Sequence, residues 1–238
     1  MILKPDDAAR LISETRSDST VLIGGQAVAF WIKYFNIQPR LAGLTVDIDY
    51  LGTKTDAKHV SNRLKIRHKF KAATFDDNTA NSALLLVEMD GYPEPVLIDY
   101  MINIFGVESN AIQKSAVTVE FQGEPLRVLH PIQLMQAKIW NLYRLDGKRT
   151  PEGIEQARLA IEIVAAFIQQ ADMSQRDLLN TIEAIGRFAP TQPARFAEET
   201  YGLDCQKSIP ASVLQEGILP EKFHKIRWPQ ILANAGRR

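Results

Sequence analysis

The chain has 238 residues, of which 45% are hydrophobic, and this is enough to bury a sizeable core in one large domain or two small ones. Its 28 basic residues balance its 28 acidic residues, so no bulk charge favours duplex DNA or an anionic membrane as a partner. The single cysteine excludes an intramolecular disulfide and a zinc site built from thiolates. No apolar run approaches the roughly 18 residues that span a bilayer, and we expect a soluble, cytoplasmic protein.

The first 35 residues predict a helix, a strand, a glycine turn and a second helix. Apolar spacing predicts a helix over residues 6–17. The β-branched run Thr20–Ile23 predicts a short strand, which Gly24-Gly25 ends. The long aromatic stretch from Gln26 to Phe35 then predicts a buried helix.

Two aspartates lie in the next predicted strand, over residues 44–51. Side chains two apart on a strand face the same way, so Asp47 and Asp49 present two carboxylates side by side. The alternate positions, which face the other side, are Val46, Ile48 and Tyr50. Two adjacent like charges repel unless a divalent cation lies between them, and hard oxygen ligands suit Mg²⁺ or Mn²⁺. The pair therefore predicts a metal site.

The middle of the chain predicts one helix and two hairpins. Helical periodicity on a strongly basic background covers residues 59–72. Apolar strands over residues 83–89 and 95–104 are joined by turn residues and predict an antiparallel hairpin, with Asp99 inside its second strand. A second, shorter hairpin is predicted around Gly123.

Strand patterns largely stop at His130-Pro131, and helical patterns follow. The predicted helices cover residues 132–143, 152–170, 174–188 and 193–201, with shorter helices and loops in the last forty residues. We therefore expect an α+β protein with two domains. Residues 1–130 form a mixed β-sheet flanked by helices, and residues 131–238 form an α-helical domain.

Three of these elements together resemble the nucleotidyltransferase superfamily typified by DNA polymerase beta. They are the turn Gly24-Gly25, the strand Val46-Asp47-Ile48-Asp49-Tyr50, and Ile98-Asp99-Tyr100 on a later strand. Within the superfamily, the chain looks most like the bacterial group of abortive-infection type IV toxins and related toxin-like transferases. Gly24-Gly25-Gln26-Ala27 and Lys138 match positions of that group, and the resemblance covers roughly residues 20–165.

The resemblance implies a nucleotidyltransferase domain over residues 1–130 that moves NMP from an NTP to a hydroxyl acceptor and releases pyrophosphate. The implied ligands of Mg²⁺ or Mn²⁺ are Asp47, Asp49 and Asp99. Backbone N–H groups at the glycine turn and helix start can hold phosphate oxygens, through Gly24, Gly25 and Gln26. The cations assigned to the phosphates are Lys138 and either Arg149 or Arg158.

The acceptor is left open between an RNA 3′ end, a protein side-chain hydroxyl and a small molecule such as an aminoglycoside. The toxin-like resemblance also implies a cognate antitoxin or a fused regulatory partner. A second hypothesis is a catalytically inactive nucleotidyltransferase-fold module that senses nucleotides or binds a protein. Glu155 and Gln156 favour it, because they stand where the relatives carry aspartates.

Several residues keep two interpretations. Glu88 on the neighbouring strand is an alternative to Asp99, and Lys138 is also compatible with a solvated helix face. The basic run over residues 65–71 fits a solvated helix face or a surface that steers NTP or a tRNA-like acceptor. The four histidines show no ligand spacing, and Cys205 is interpreted as a small hydrophobic residue.

Overall fold

The computed structural model describes residues 3–41, 43, 45–74, 80–215 and 217–236. The chain divides into two compact units. The first contains Met1–Phe30 and Arg40–Leu134, and the second contains Trp31–Pro39 and Met135–Arg238.

Within the described residues, the strands of the first unit form one seven-stranded mixed sheet. In chain order they are β1 (Val21–Ile23), β2 (Ile48–Leu51), β3 (His68–Ala72), β4 (Asn81–Val87), β5 (Val96–Met101), β6 (Val117–Phe121) and β7 (Glu124–Val128). Their spatial order is β3-β4-β5-β2-β1-β7-β6. The β2–β5 and β1–β7 pairs are parallel, and the other neighbours are antiparallel.

The helices that precede, interrupt or directly follow the strands are α1 (Pro5–Thr15), α2 (Gly24–Tyr34), α3 (Lys54–Arg63), α4 (Ser109–Ser115) and α5 (Pro131–Arg144). The division between the units falls inside α2 and α5. A capping box fixes the start of α3, because the Thr53 and Asp56 side chains each accept from the other's backbone N–H. The helix then packs on β3, β4 and β5.

The second unit is helical. Its further helices are α6 (Pro151–Gln170), α7 (Gln175–Phe188), α8 (Gln192–Tyr201) and α9 (Trp228–Gly236), with single turns at Cys205–Ser208, Ala211–Leu214 and Phe223–Arg227. Side-chain caps at Thr150 and Ser174 fix the starts of α6 and α7. None of the helices in the described ranges is long and apolar enough to cross a membrane. A mixed sheet followed by helices confirms the predicted α+β class.

The register of β2 and β5 gives the centre of the sheet two different faces. Asp49 opposes Asp99, and Tyr50 opposes Tyr100. The two tyrosines are completely buried, whereas the two aspartates are half-buried. We call these sides the acid face and the tyrosine face.

The prediction of a helix over residues 59–72 is wrong for the second half of that range. The helix ends at Arg63, Leu64 is already extended, and His68–Ala72 is the edge strand β3. Lys69 and Lys71 are exposed between half-buried neighbours, so the true period of this run is two. Hydrophobic residues at helical spacing masked that alternation in the sequence.

The strand predicted over residues 44–51 begins later than expected. β2 starts at Ile48, so Asp47 lies in the bend before it, and Leu44 lies outside the described residues. Ile48 and Tyr50 face away from the acids as predicted, and both are buried, but Val46 is 45% exposed. Val46 therefore does not share their buried surroundings, because the regular alternation of a strand has not begun at that point.

Candidate active site

Three carboxylates that are far apart in sequence meet on the acid face. Asp49 and Asp99 are direct neighbours on the parallel strands β2 and β5, and Asp47 lies two residues before Asp49. Each residue offers one carboxylate oxygen, and these oxygens all lie within 4.8 Å of one another. All three residues are half-buried. The structure thus brings together the three acids selected from the sequence.

The glycine turn lies directly against this group. Ile23 opposes Asp49 across the β1–β2 pair, so Gly24 follows at the same level of the sheet. Gly24 has φ +67°, and a Cβ built on it overlaps the Asp49 carboxylate. A Cβ on Gly25 falls 2.5 Å from Thr45 Cβ. Only glycine allows this backbone conformation together with such a close approach to the acids.

Two neutral side chains donate hydrogen bonds to Asp47 and Asp99, and neither was selected from the sequence. Thr45 Oγ1 donates to Asp47 Oδ1 over 2.6 Å, and Asn81 Nδ2 donates to Asp99 Oδ1 over 2.8 Å. Thr45 lies two residues before Asp47, a spacing at which hydroxyls commonly bond to neighbouring groups. Asn81 carries no comparable signal, because its partner lies eighteen residues away on another strand.

The donor set fits a hard divalent cation. Two unit charges about 4 Å apart repel by about 4 kcal/mol at an effective dielectric constant of about 20. Three carboxylates within the observed separation therefore repel one another, and a cation between them removes that repulsion. Carboxylate oxygens are the ligands that Mg²⁺ and Mn²⁺ take in proteins.

The start of α2 adds backbone donors beside the acids. Gly24, Gly25 and Gln26 are the first three residues of the helix. N–H groups in a helix's first turn have no partner within the helix and carry the positive end of its dipole. Such a start suits phosphate oxygens. The Gln26 side chain is only 5% exposed, which leaves its backbone N–H as the group to assign to phosphate.

The alternative carboxylate, Glu88, does not join the three acids. It follows β4 and forms an ion pair with Arg67 Nε at 3.0 Å. Asp99 is the residue beside Asp47 and Asp49.

The basic run contributes lysines to the acid face. Lys71 opposes Leu84 across the β3–β4 pair, and Leu84 opposes Asp99 across the β4–β5 pair. Directly opposed residues share one side of a sheet, so Lys71 lies on the acid face, and so does Lys69 two residues earlier. Their predicted role in steering NTP or acceptor stays a prediction.

Lys138 and its neighbours belong to the second unit. Lys138 is only 7% exposed, which excludes a solvated helix face, and its Nζ donates to Gln156 Oε1 over 2.6 Å. Glu155 and Glu162 form ion pairs with Arg158, and the hydrogen bond from Arg158 to Glu155 raises the pKa of the guanidinium. The predicted contacts of Lys138 and Arg158 with phosphate stay predictions.

Arg149 has a structural role inside the second unit. Its guanidinium donates to the carbonyl oxygens of Leu142 and Tyr143, at the end of α5. It also pairs with Asp146 at 2.6 Å and lies over the Phe196 ring. These contacts satisfy carbonyl oxygens at the C-terminal end of α5, where a cation is favourable. Binding of nucleotide by Arg149 stays a prediction.

Burial changes the pKa of two further residues with reactive side chains, Cys205 and His130. Burial raises the pKa of the Cys205 thiol to about 12, so the nucleophilic thiolate is scarce at neutral pH. Burial lowers the pKa of His130 to about 4, and its Nδ1 accepts from the Ile132 N–H over 3.3 Å. Cys205 is thus the small buried residue expected from the sequence.

Comparison of the sequence with known protein families finds no match, and comparison with curated proteins finds none either. Among solved structures, the chain is similar to JHP933 from Helicobacter pylori, with 13% identity over 96% of this chain and 94% of that one, at a TM-score of 0.39. It is also similar to a candidate nucleotidyltransferase from H. pylori, with 12% identity over 94% and 95% of the two chains, again at 0.39. Similarity of this degree is too low to transfer a function.

Proposed function

We propose that this protein is a metal-dependent nucleotidyltransferase, which moves NMP from an NTP to a hydroxyl acceptor and releases pyrophosphate. The convergence of Asp47, Asp49 and Asp99 beside the Gly24-Gly25 turn is the observation that carries the proposal. An acidic group alone is common on protein surfaces. Here it lies against a glycine turn at a helix start, which offers donors for phosphate within reach of a cation held by the acids.

Each part of the site has a distinct task in this proposal. The three aspartates hold Mg²⁺ or Mn²⁺, which when bound neutralises phosphate charge and lowers the pKa of an acceptor hydroxyl. The backbone of Gly24, Gly25 and Gln26 binds triphosphate oxygens and orients the α-phosphorus. The acceptor hydroxyl loses its proton to solvent and its oxygen bonds to that phosphorus, as the bond to the bridging oxygen breaks and pyrophosphate leaves.

Further parts of the proposal come from the sequence resemblance. Residues 1–130 form the catalytic domain, and residues 131–238 form the helical domain. Lys138 pairs with the β- or γ-phosphate, and Arg149 assists in binding the nucleotide. A cognate antitoxin is the implied protein partner.

The test is metal-dependent turnover. Purified protein is incubated with each of the four radiolabelled NTPs and with Mg²⁺ or Mn²⁺. The acceptors are bulk RNA, a panel of proteins and small hydroxyl compounds. We expect pyrophosphate and a labelled product from one acceptor class, and no product when the metal is chelated.

An inactive nucleotide-sensing module is the second candidate. It is favoured by Glu155 and Gln156, which stand in place of the expected aspartates and bond to Arg158 and Lys138 respectively. Metal-dependent NTP binding without pyrophosphate release, for all four NTPs and the full acceptor panel, would select this candidate. An absence of both binding and turnover would reject the two together.

A further inference from the structure

The strand beside Asp99 contains an irregularity at the level of the site. In the β4–β5 pair, Leu84 opposes Asp99 and Ala83 opposes Tyr100. The next opposed pair is Asn81 with Met101, so Ser82 is an extra residue without an opposing partner. This is a β-bulge, a feature that re-aims side chains and is over-represented next to active sites.

The bulge decides which face Asn81 occupies. Ala83 is buried on the tyrosine face, so strict alternation would put Asn81 on that face as well. The extra residue reverses the alternation. Asn81 opposes Met101, which lies two residues after Asp99 and therefore on the acid face. Its amide reaches Asp99 as a diagonal neighbour and donates to Oδ1 over 2.8 Å.

The bulge is itself held by hydrogen bonds. Ser82 Oγ lies 2.9 Å from the Tyr100 carbonyl oxygen and 3.1 Å from the Gly52 carbonyl oxygen. The Ser82 carbonyl oxygen accepts from the Ala73 N–H over 3.0 Å. The extra residue is thus bonded to the strands on both sides, and Asn81 is fixed toward the acids.

We propose that Asn81 is a positioning residue for the metal site, brought to Asp99 by the bulge at Ser82. The inference rests on the proposed function. The amide occupies one lone pair of Asp99 Oδ1 and restricts rotation of the carboxylate, so that Asp99 meets the cation together with Asp47 and Asp49. Asn81 touches a metal ligand and needs no contact with substrate.

The test is the affinity of the full chain for Mn²⁺ alone, measured by electron paramagnetic resonance. Asn81→Leu keeps the approximate volume and removes the donor. We expect binding about 10- to 100-fold weaker, the range typical for loss of a hydrogen bond to a metal ligand. We also expect a changed spectrum at saturating Mn²⁺ from a variant that remains folded. Asn103→Leu, on the exposed loop after β5, is the matched control and keeps wild-type affinity.

A second variant keeps the test decisive if Asn81→Leu fails to fold. Asn81→Ala adds no apolar bulk to a half-exposed position, and the same loss of affinity is expected. Donor function is tested by Asn81→Gln, which retains an amide and should bind Mn²⁺ more tightly than Asn81→Leu.

The outcomes separate this inference from the function on which it rests. If wild-type protein binds Mn²⁺ and a folded Asn81→Leu or Asn81→Ala variant binds within about threefold of it, the positioning role is wrong and the metal site stands. If wild-type protein binds no Mn²⁺, the proposed function itself fails.

Discussion

The acid face and the tyrosine face are formed by the same two strands in the same register, yet the surroundings of their polar groups are opposite. On the tyrosine face, the Tyr100 hydroxyl donates to the Thr15 carbonyl oxygen over 3.0 Å, and Tyr50 bonds to Thr15 Oγ1 and to the Ile12 carbonyl oxygen. The two rings stack 5.5 Å apart. On the acid face, carboxylate oxygens of three residues lie within 4.8 Å of one another, and neutral side chains donate to two of the three.

The difference separates stability from function. A buried hydroxyl bonded within the protein stabilises the fold and needs no outside partner. Neighbouring carboxylates repel one another and a cation between them removes that repulsion, so binding of a metal at the acid face stabilises the folded protein. Strains of this kind concentrate at functional sites. The comparison predicts that substitutions on the two faces have opposite effects.

Asp49→Asn has the largest expected effect on activity. Asp49 lies between Asp99 and the glycine turn, so its loss removes a central ligand. We expect transfer activity to fall at least about 100-fold. Without metal, the unfolding temperature should equal or exceed that of wild type, because one repulsive charge is gone. Pyrophosphate release and calorimetric unfolding measure the two effects.

Asp90→Asn, in the exposed turn between β4 and β5, is the control for loss of one negative charge and should match wild type in activity. Retained transfer activity in Asp49→Asn would contradict the assignment of the acid face. A clear loss of metal-free stability would instead make Asp49 a structural residue.

Gly24→Ala is the next largest change, and the chain offers a matched control. Gly24 and Gly91 both have positive φ, +67° and +83°, so alanine at either position strains the backbone by roughly 1–2 kcal/mol. Only at Gly24 does the new Cβ overlap Asp49, because nothing lies within 4 Å of a Cβ on Gly91.

We therefore expect Gly24→Ala to lose more stability than Gly91→Ala, because only its Cβ must displace the Asp49 side chain. We also expect only Gly24→Ala to lose about 10-fold or more in Mn²⁺ affinity. Titration with Mn²⁺ measures the affinity, and urea unfolding measures the stability. Equal affinities in the two variants would show that the close approach of the turn to Asp49 has no role in metal binding.

The residues that create this contrast were visible in the sequence to different degrees. The alternation of acids with Ile48 and Tyr50, and the glycines after a β-branched run, predicted the carboxylates, the turn and the strand–turn–helix order. These features depend on local periodicity and on glycine chemistry, which a single sequence displays. Convergence of Asp99 with the first two acids depends on strand order, and only the family resemblance supplied it.

Other parts of the site depend on pairing that no local pattern displays. The bulge at Ser82 exists only relative to β5, and the bond from Asn81 to Asp99 follows from it. The basic run over residues 65–71 fits helical spacing, and sheet pairing decides that it enters β3. Helix α4, over Ser109–Ser115, was not predicted, because its seven residues are too few for clear periodicity.

Alkaline pH should weaken the tyrosine face selectively. Burial raises the pKa values of Tyr50 and Tyr100 above the ordinary value of 10.0. Above about pH 10 the unfolded chain releases these protons while the folded chain keeps them, so stability falls as pH rises. Each tyrosine contributes a loss of about 1.4 kcal/mol per pH unit.

Urea unfolding between about pH 9 and pH 11 measures the slope. In the double variant Tyr50→Phe with Tyr100→Phe, the fall of unfolding free energy with pH should be smaller by the contribution of two protons. Tyr34→Phe, at a residue that is 59% exposed, is the control for loss of a phenol hydroxyl outside the tyrosine face. A double variant with the wild-type slope would mean that these tyrosines ionise in the folded protein as they do in water.

Tyr100→Phe at neutral pH has the smallest expected effect and tests the comparison most directly. It removes the hydroxyl bonded to the Thr15 carbonyl oxygen and keeps the ring stacked on Tyr50. We expect about 1 kcal/mol lower stability and transfer activity within about threefold of wild type. Asp49→Asn should show the reverse, lost activity with retained stability, although the two residues lie on adjacent strands one position out of register. If Tyr100→Phe lowered activity as strongly as Asp49→Asn, the tyrosine face would be holding the acids in place, and the two faces would not be separable.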